Sequence, residues 1–312
     1  METVITEEEK GILRLPPVGK ILSESVTLYR MHARTIAGIG VLPALLGAMS
    51  ILLLAGGSTI PSTILLVVAV IVGMFARFAW AASVTSETVL NAGVGAAYRA
   101  VFANIRSVAW ISILTGLVIL GGLVLLVIPG IIVAVKLNFA LYAFFIEKKR
   151  GSDALATSWY YARNSFWPIV WRLVCLGLIL SFIGILVSIV GYLVSQVVPF
   201  GGETADFSMV LLRDSQQEIS VISQFFQFAF NYFVSLPMSV IYGYILYRHL
   251  QTMTPPPDMN SSDILAFKKK IKILAPLSIV ALLIATFLAI LIPLLIVGVA
   301  SQGSASVIGL FL

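Results

Sequence analysis

Residues 173–197 read LVCLGLILSFIGILVSIVGYLVSQV and contain no Asp, Glu, Lys or Arg. A helix needs about 20 apolar residues to cross a bilayer core of about 30 Å, because lipid offers no partner for a free backbone N–H or C=O group. Six further stretches carry almost no ionisable side chains, and the seven are 35–55, 61–85, 108–127, 129–146, 173–197, 219–247 and 273–300. The sequence therefore predicts an all-α, polytopic integral membrane bundle.

The composition of the 312-residue chain agrees with this class. Hydrophobic residues make up 59% of it and charged residues 11%, with a mean hydropathy of +1.03, whereas a soluble domain averages about 25% charged residues. We expect four regions: a cytoplasmic tail over 1–19, a six-span membrane domain over 20–250, a proline-rich linker with a basic cluster over 251–272, and a seventh span with its tail over 273–312.

Lysine and arginine are concentrated in alternate loops. The loop over 198–218 is different, because it holds one arginine, Arg213, against four acidic residues. Loops that stay in the cytoplasm retain Lys and Arg. We therefore predict a cytoplasmic N-terminus and an external 198–218 loop, in a multi-pass protein of the bacterial inner or plasma membrane.

Three segments that precede spans share a pattern. They begin at Ile21, Asn91 and Ala154, and each places a tyrosine close before an arginine, namely Tyr29 and Arg30, Tyr98 and Arg99, and Tyr161 and Arg163. Tyrosine and arginine suit the headgroup zone of a membrane. We interpret the segments as interfacial cytoplasmic helices, each leading into two spans, so that the six core spans form three quasi-repeated units. Convergence imposed by the interface is the alternative explanation.

Residues 128–172 read IPGIIVAVKLNFALYAFFIEKKRGSDALATSWYYARNSFWPIVWR. This segment resembles the membrane domain of glycerophosphoryl diester phosphodiesterases. The resemblance rests on a Pro-Gly pair that opens a span, an aromatic run that ends in Glu147, and a helix followed by a Phe-Trp pair where the chain enters the membrane again. Related domains occur alone as bacterial inner-membrane proteins of unknown function. In the enzymes that carry both parts, catalysis belongs to a separate soluble barrel. The resemblance therefore implies a membrane module and does not imply a hydrolase.

The chain offers no pattern typical of catalytic chemistry. Its only histidines are His32 and His249, its predicted spans contain no Asp or Glu, and it has no phosphate-binding loop motif. Metal sites need clustered N, S or carboxylate ligands, and proton relays in membranes use acidic residues. We therefore expect no enzyme, no catalytic or metal site, no cofactor and no nucleic-acid partner.

A few polar side chains inside the spans suggest a binding site. Lys136 lies seven residues beyond Pro129, about 10 Å deep at about 1.5 Å per residue, and an intramembrane cation usually marks a function or a partner. Arg77 lies near the cytoplasmic end of span two. Span six carries polar residues at steps of three or four, which places them on one helical face; they are Ser220, Gln224, Gln227, Asn231 and Ser235.

We hypothesise that Lys136 points inward, beside Gln224, Gln227 and Asn231, and holds an anionic headgroup. Snorkelling of Lys136 and Arg77 to the headgroups is the alternative, and the amides can instead serve as interhelical hydrogen bonds. The sequence thus predicts a non-enzymatic module that binds membrane lipids, anionic ones included, or a membrane protein partner. The alternative function is a transporter or flippase-like protein for an amphiphile with an anionic headgroup.

Overall fold

The computed structural model describes residues 15–125, 127–197, 221–280, 283 and 287. Within these residues the structure is helical and contains no strand, and six helices are long and apolar enough to cross a membrane. The all-α, multi-pass membrane class is confirmed. The predicted seventh span begins inside a helix over 262–280, and most of its remainder lies outside the described residues, as do Ser220 and the 198–218 loop.

The spans follow a regular order with short helices between them. The helices are α1 Val18–Met31, α2 Ala33–Ala55, α3 Thr59–Val84, α4 Glu87–Asn91, α5 Val94–Ala103, α6 Ile105–Leu125, α7 Val127–Leu137, α8 Ala140–Glu147, α9 Ser152–Arg163, α10 Phe166–Val197, α11 Val221–Phe230, α12 Leu236–Met253 and α13 over 262–280. Spans one, two, three and five are α2, α3, α6 and α10. Span four consists of α7 and α8, and span six runs from α11 through a π-helical turn, Asn231–Ser235, into α12.

The three predicted short helices are present as α1, α5 and α9. Each is separated from the following span by one or two residues, which are His32, Asn104 and the pair Asn164–Ser165. The order of short helix, span and span therefore occurs three times. The helix α1 begins at Val18, and the basic cluster of the predicted linker lies within α13.

Glycines allow the closest helix contacts. A Cβ atom on Gly40 in span one would lie 2.6 Å from the carbonyl oxygen of Tyr232 in span six, and one on Gly130 would lie 2.6 Å from the backbone nitrogen of Leu123. Real side chains do not tolerate such distances. The glycines of span one therefore serve helix packing, and Gly130 permits the tight hairpin of spans three and four.

Two tyrosines of the short helices donate to backbone carbonyls that prolines leave free. Pro43 has no N–H to give to the Ile39 carbonyl four residues earlier, and the Tyr98 hydroxyl donates to that oxygen at 2.9 Å. Pro237 leaves the Phe233 carbonyl free in the same way, and the Tyr29 hydroxyl donates to it at 2.6 Å. These tyrosines point into the bundle, so the prediction that they face headgroups is corrected, because a freed carbonyl in an apolar interior needs a donor.

The helix α9 is more deeply buried among the other helices than a helix lying on the surface of the bundle would be. Seven of its twelve residues are buried. Span four is interrupted between α7 and α8, and Ser158 of α9 bonds the backbone groups that the interruption leaves free. Its hydroxyl donates to the Lys136 carbonyl at 2.6 Å and accepts from the Phe139 N–H at 3.2 Å. The small side chains of α9 let it approach the broken span closely.

The helix α13 packs along α9. Arg163 and Asp263 form an ion pair at 2.5 Å, Lys268 and Asp153 form another at 2.8 Å, and the rings of Trp159 and Phe267 stack with their centroids 4.7 Å apart. Further along, the buried Ser278 lies against Gly121 of span three. The described beginning of the predicted seventh span, residues 273–280, is therefore part of the bundle.

Candidate functional site

A cavity of about 380 Å³ lies where spans two, four, five and six meet. Arg77 of span two gives it a cation, and Asn138, Tyr142 and Ser239 give it further polar groups. Most of the remaining wall is aliphatic, including Leu176 of span five. Arg77 lies seven residues before the end of α3, which is about 10 Å at about 1.5 Å per residue.

Two of these polar groups, Arg77 and Asn138, have unused hydrogen-bonding capacity, whereas the hydroxyls of the other two donate to backbone carbonyls. The Tyr142 hydroxyl donates to the Val240 carbonyl at 2.8 Å, and the Ser239 hydroxyl donates to the Leu236 carbonyl at 2.7 Å. Within the described part of the chain, the Arg77 guanidinium and the side-chain amide of Asn138 have no hydrogen-bond or ion-pair partner. Arginine has five N–H donors and no acceptor. The cavity therefore presents donors to a ligand that carries negative charge.

Helix irregularities place these groups. Asn138 lies at the break between α7 and α8, and Ser239 follows the π-helical turn and Pro237 of span six. Irregular backbone at membrane depth is tolerated where it is covered by protein or lines a cavity, and single π turns frequently occur at functional sites. The two irregular segments flank one cavity, which distinguishes it from an ordinary packing gap.

A second cavity, of about 780 Å³, lies between span five and the first half of span six. Its polar wall consists of hydroxyl and amide groups, namely Ser181, Ser188, Ser223, Gln227, Asn231 and Ser235. The Ser188 hydroxyl donates to the Gln227 amide oxygen at 2.9 Å. Gly177 and Leu180 belong to the walls of both cavities, so we call the two cavities together the polar groove.

The π-helical turn keeps the polar residues of span six on the groove. Ser223, Gln227, Asn231, Ser235 and Ser239 are each four residues apart. In an uninterrupted α-helix each such step turns by about 40° beyond a full rotation, so the whole series would drift by about 160°. The extra residue that a π turn accommodates removes about 100° of this drift. The five side chains consequently all line the groove.

Lys136 lies elsewhere. Its Nζ atom is 6.0 Å from the ring centroid of Trp159 and 5.8 Å from that of Phe166. A cation over an aromatic face is stabilised by about 0.5–2 kcal/mol, depending on desolvation. Lys136 lines neither cavity, and it is directed to α9 and the start of span five. The structure therefore does not bring it together with the amides of span six.

The other predicted site residues divide between the cavities. Arg77 lines the first cavity, while Gln227 and Asn231 line the second. Gln224 lies on the same helix but outside both walls. Span four does lie beside span six, as hypothesised, through the hydrogen bond from Tyr142 to Val240.

Sequence reasoning missed three kinds of groove residue. Asn138 is an amide in an apolar span and could have been noticed by its composition alone. The serines of span five, Ser181 and Ser188, lie seven residues apart and so share a helical face. In a regular helix Ser239 would lie on a different face from Gln227, and the π-helical turn places the two residues on the same face. No pattern in the sequence predicts that turn.

No family model, curated protein or solved structure matches this chain. The functional argument therefore depends on the groove itself: its charge, its free donors and its position among the spans. The resemblance to the membrane domain of glycerophosphoryl diester phosphodiesterases stays a prediction.

Proposed function

We propose that this protein is a non-enzymatic membrane module that binds a lipid with a phosphate-bearing headgroup in the cavity of Arg77. One observation carries the proposal: an arginine of span two, exposed and without an acidic or hydrogen-bonding partner in the described residues, lines a partly polar cavity between four spans. The remaining lining supplies amide and hydroxyl groups, which bind a headgroup but do not form an acid–base pair.

The charge of Arg77 needs compensation at this depth. An arginine at the centre of a membrane helix costs about 2.5–3.5 kcal/mol on insertion scales. The planar guanidinium can donate two parallel hydrogen bonds to a phosphate, and such charge-assisted bonds are about twice as strong as neutral ones. A bound phosphate therefore offsets the cost of the cation and orients the lipid.

The size and surroundings of the cavity suit a headgroup. A volume of about 380 Å³ falls in the range of about 300–1,000 Å³ that is usual for small-molecule sites. The aliphatic lining from spans four and five can cover the glycerol region, while the acyl chains extend into the bilayer. Asn138 supplies a second donor for the phosphate or its ester oxygens.

The membrane and its orientation are part of the proposal. The Lys and Arg distribution supports a bacterial inner or plasma membrane with a cytoplasmic N-terminus. In that orientation Arg77 faces the cytoplasmic leaflet, where anionic lipids give a negative surface potential. In this role the lipid-bound form can also bind a membrane protein partner.

The proposal is tested by lipid retention. Protein purified in a mild detergent is analysed for co-purified lipid by native mass spectrometry. We expect wild-type protein to carry a phospholipid, Arg77→Leu to lose it, and Arg77→Lys to keep a part of it, because lysine preserves the charge but not the two parallel bonds.

The matched control is Lys136→Leu, which removes an intramembrane cation that lines neither cavity. Lipid retention should be unchanged in this variant. If Lys136→Leu loses the lipid while Arg77→Leu keeps it, the site is at Lys136 and the proposal is refuted. Equal retention in all variants also refutes it.

A further inference from the structure

The polar groove is about as long as the membrane core is thick. Its wall on span five extends from Leu173 to Tyr192, which is about 28 Å at about 1.5 Å per residue. Its wall on span six extends from Ser223 to Val240, or about 25 Å by the same rise. The hydrocarbon core of a bilayer is about 30 Å thick. The polar residues alone extend from Ser223 to Ser239 on span six, about 24 Å at about 1.5 Å per residue, whereas the wall of span five from Leu173 to Leu180 is apolar.

Polar groups occur at regular intervals along this surface. The five polar residues of span six are four positions apart, which separates neighbours by about 6 Å. Span five contributes Ser181 and Ser188 to the same groove. Arg77 and Asn138 lie at the end nearer the first residues of span five. A headgroup moving along the groove can keep a hydrogen-bond partner at each step, whereas an unsatisfied polar group in hydrocarbon costs several kcal/mol.

The groove is open at its side. Span five is the least buried of the six spans. Gly177, Ser181, Gln227 and Asn231 are all exposed on the surface of the bundle. A lipid can therefore place its head among these groups and leave its acyl chains in the surrounding bilayer.

We infer that the groove is a path along which phospholipid headgroups pass between the two leaflets. The cavity of Arg77 is the binding site at the end of this path that faces the cytoplasm in the proposed orientation. The inference rests on the proposed binding site and adds movement to it. In this proposal passage is passive and bidirectional, and the lipid enters where Gly177, Ser181, Gln227 and Asn231 are exposed. The substrate class is a phospholipid, whose phosphate is held by Arg77 and whose head exchanges hydrogen bonds with the serines and amides of the groove.

The test uses purified full-length protein in vesicles of phosphatidylglycerol and phosphatidylethanolamine with a headgroup-labelled fluorescent phospholipid. A membrane-impermeant reductant bleaches only the outer-leaflet label in protein-free vesicles. With the wild-type protein, we expect the inner-leaflet label to be bleached as well. The double variant Gln227→Leu with Asn231→Leu should slow this second phase by about tenfold, because it removes two hydrogen-bonding steps from the path.

The matched control for this variant is Thr63→Leu, a polar-to-apolar change at an exposed position of span two outside the groove. It should bleach like the wild type. Protected inner-leaflet label with wild-type protein would overturn the path, and so would equal rates for wild type and double variant. Lipid retention in the double variant separates the two proposals, since Arg77 is intact there and binding should persist.

A second measurement does not depend on the folding of the double variant. In a Cys175→Ala background, Ser181→Cys places a thiol at mid-depth in the groove, and Val70→Cys places one on the exposed face of span two. A water-soluble thiol reagent should modify the cysteine at position 181 and spare the one at position 70, because a headgroup path is hydrated. A protected thiol at position 181 would overturn the inference.

Discussion

At the residue scale, the contacts of Tyr98 and Tyr29 show how the bundle tolerates prolines inside its spans. Each hydroxyl replaces the N–H that a proline four residues further on cannot supply. Burial raises the pKa of both tyrosines above the usual value, so both hydroxyls remain protonated donors at neutral pH. A proline inside a span always frees a carbonyl, but the sequence does not indicate which donor reaches it.

This arrangement predicts a specific double-mutant cycle. Tyr98→Phe leaves the Ile39 carbonyl without its donor and should lower the free energy of unfolding by about 1–2 kcal/mol. In a Pro43→Ala background the alanine N–H serves the same carbonyl, so Tyr98→Phe should cost clearly less. Reversible unfolding in mixed micelles measures both values.

The control for the cycle is Tyr29→Phe, whose acceptor is the Phe233 carbonyl in span six. Its cost should be the same with Pro43 or with alanine at that position. Equal costs of Tyr98→Phe in the two backgrounds would show that the hydrogen bond does not compensate for the proline.

At the element scale, α9 shows what sequence patterns can and cannot predict. Its place before span five and its Tyr and Arg residues indicated a short cytoplasmic helix, and the helix is there. Its depth depends on the break in span four at Asn138 and on Ser158, which satisfies both ends of that break. These are contacts between elements, so neither the composition nor the periodicity of α9 contains them.

The π-helical turn of span six makes a second element-scale prediction. Deleting Val234, an exposed residue of the turn, should convert it into a regular helix and rotate the two halves of the span by about 100° relative to each other. Ten residues of α12 are buried, against only Phe230 in α11. The rotation should therefore occur in α11 and turn Gln227 away from span five.

Disulfide cross-linking measures this rotation. In a Cys175→Ala background, cysteines at positions 188 and 227 replace two side chains that are in hydrogen-bond contact and should cross-link readily. The deletion should abolish the cross-link, while the control substitution Val234→Ala, which keeps the turn, should preserve it. Cross-linking that survives the deletion would mean that the π-helical turn does not determine which residues of span six face the groove.

At the scale of the whole molecule, the groove unites residues from separate parts of the chain. Arg77, Gln227 and Asn231 were predictable as polar groups inside apolar spans, because such groups are rare there. Their grouping was not, since it depends on which spans are neighbours and on the exposed position of span five. The same limit explains Lys136: its charge and depth were evident, but its contacts with Trp159 and Phe166 follow from the inserted α9.

The last prediction concerns the orientation of the molecule, which we proposed from the distribution of Lys and Arg and which would place Arg77 toward the cytoplasm. In a Cys175→Ala background, an impermeant maleimide applied to intact cells should label Ser208→Cys in the acidic loop, and label Pro256→Cys in the proline-rich segment only after permeabilisation, because Lys- and Arg-rich loops remain inside. Ser304→Cys should be labelled from outside if residues 273–300 cross the membrane as a seventh span. Labelling of position 304 only after permeabilisation would leave six crossings, with α13 packed on α9 as a cytoplasmic or re-entrant helix. The reverse pattern at positions 208 and 256 would show the opposite orientation, with Arg77 near the outer leaflet. The negative potential of the cytoplasmic leaflet would then no longer support an anionic ligand for Arg77.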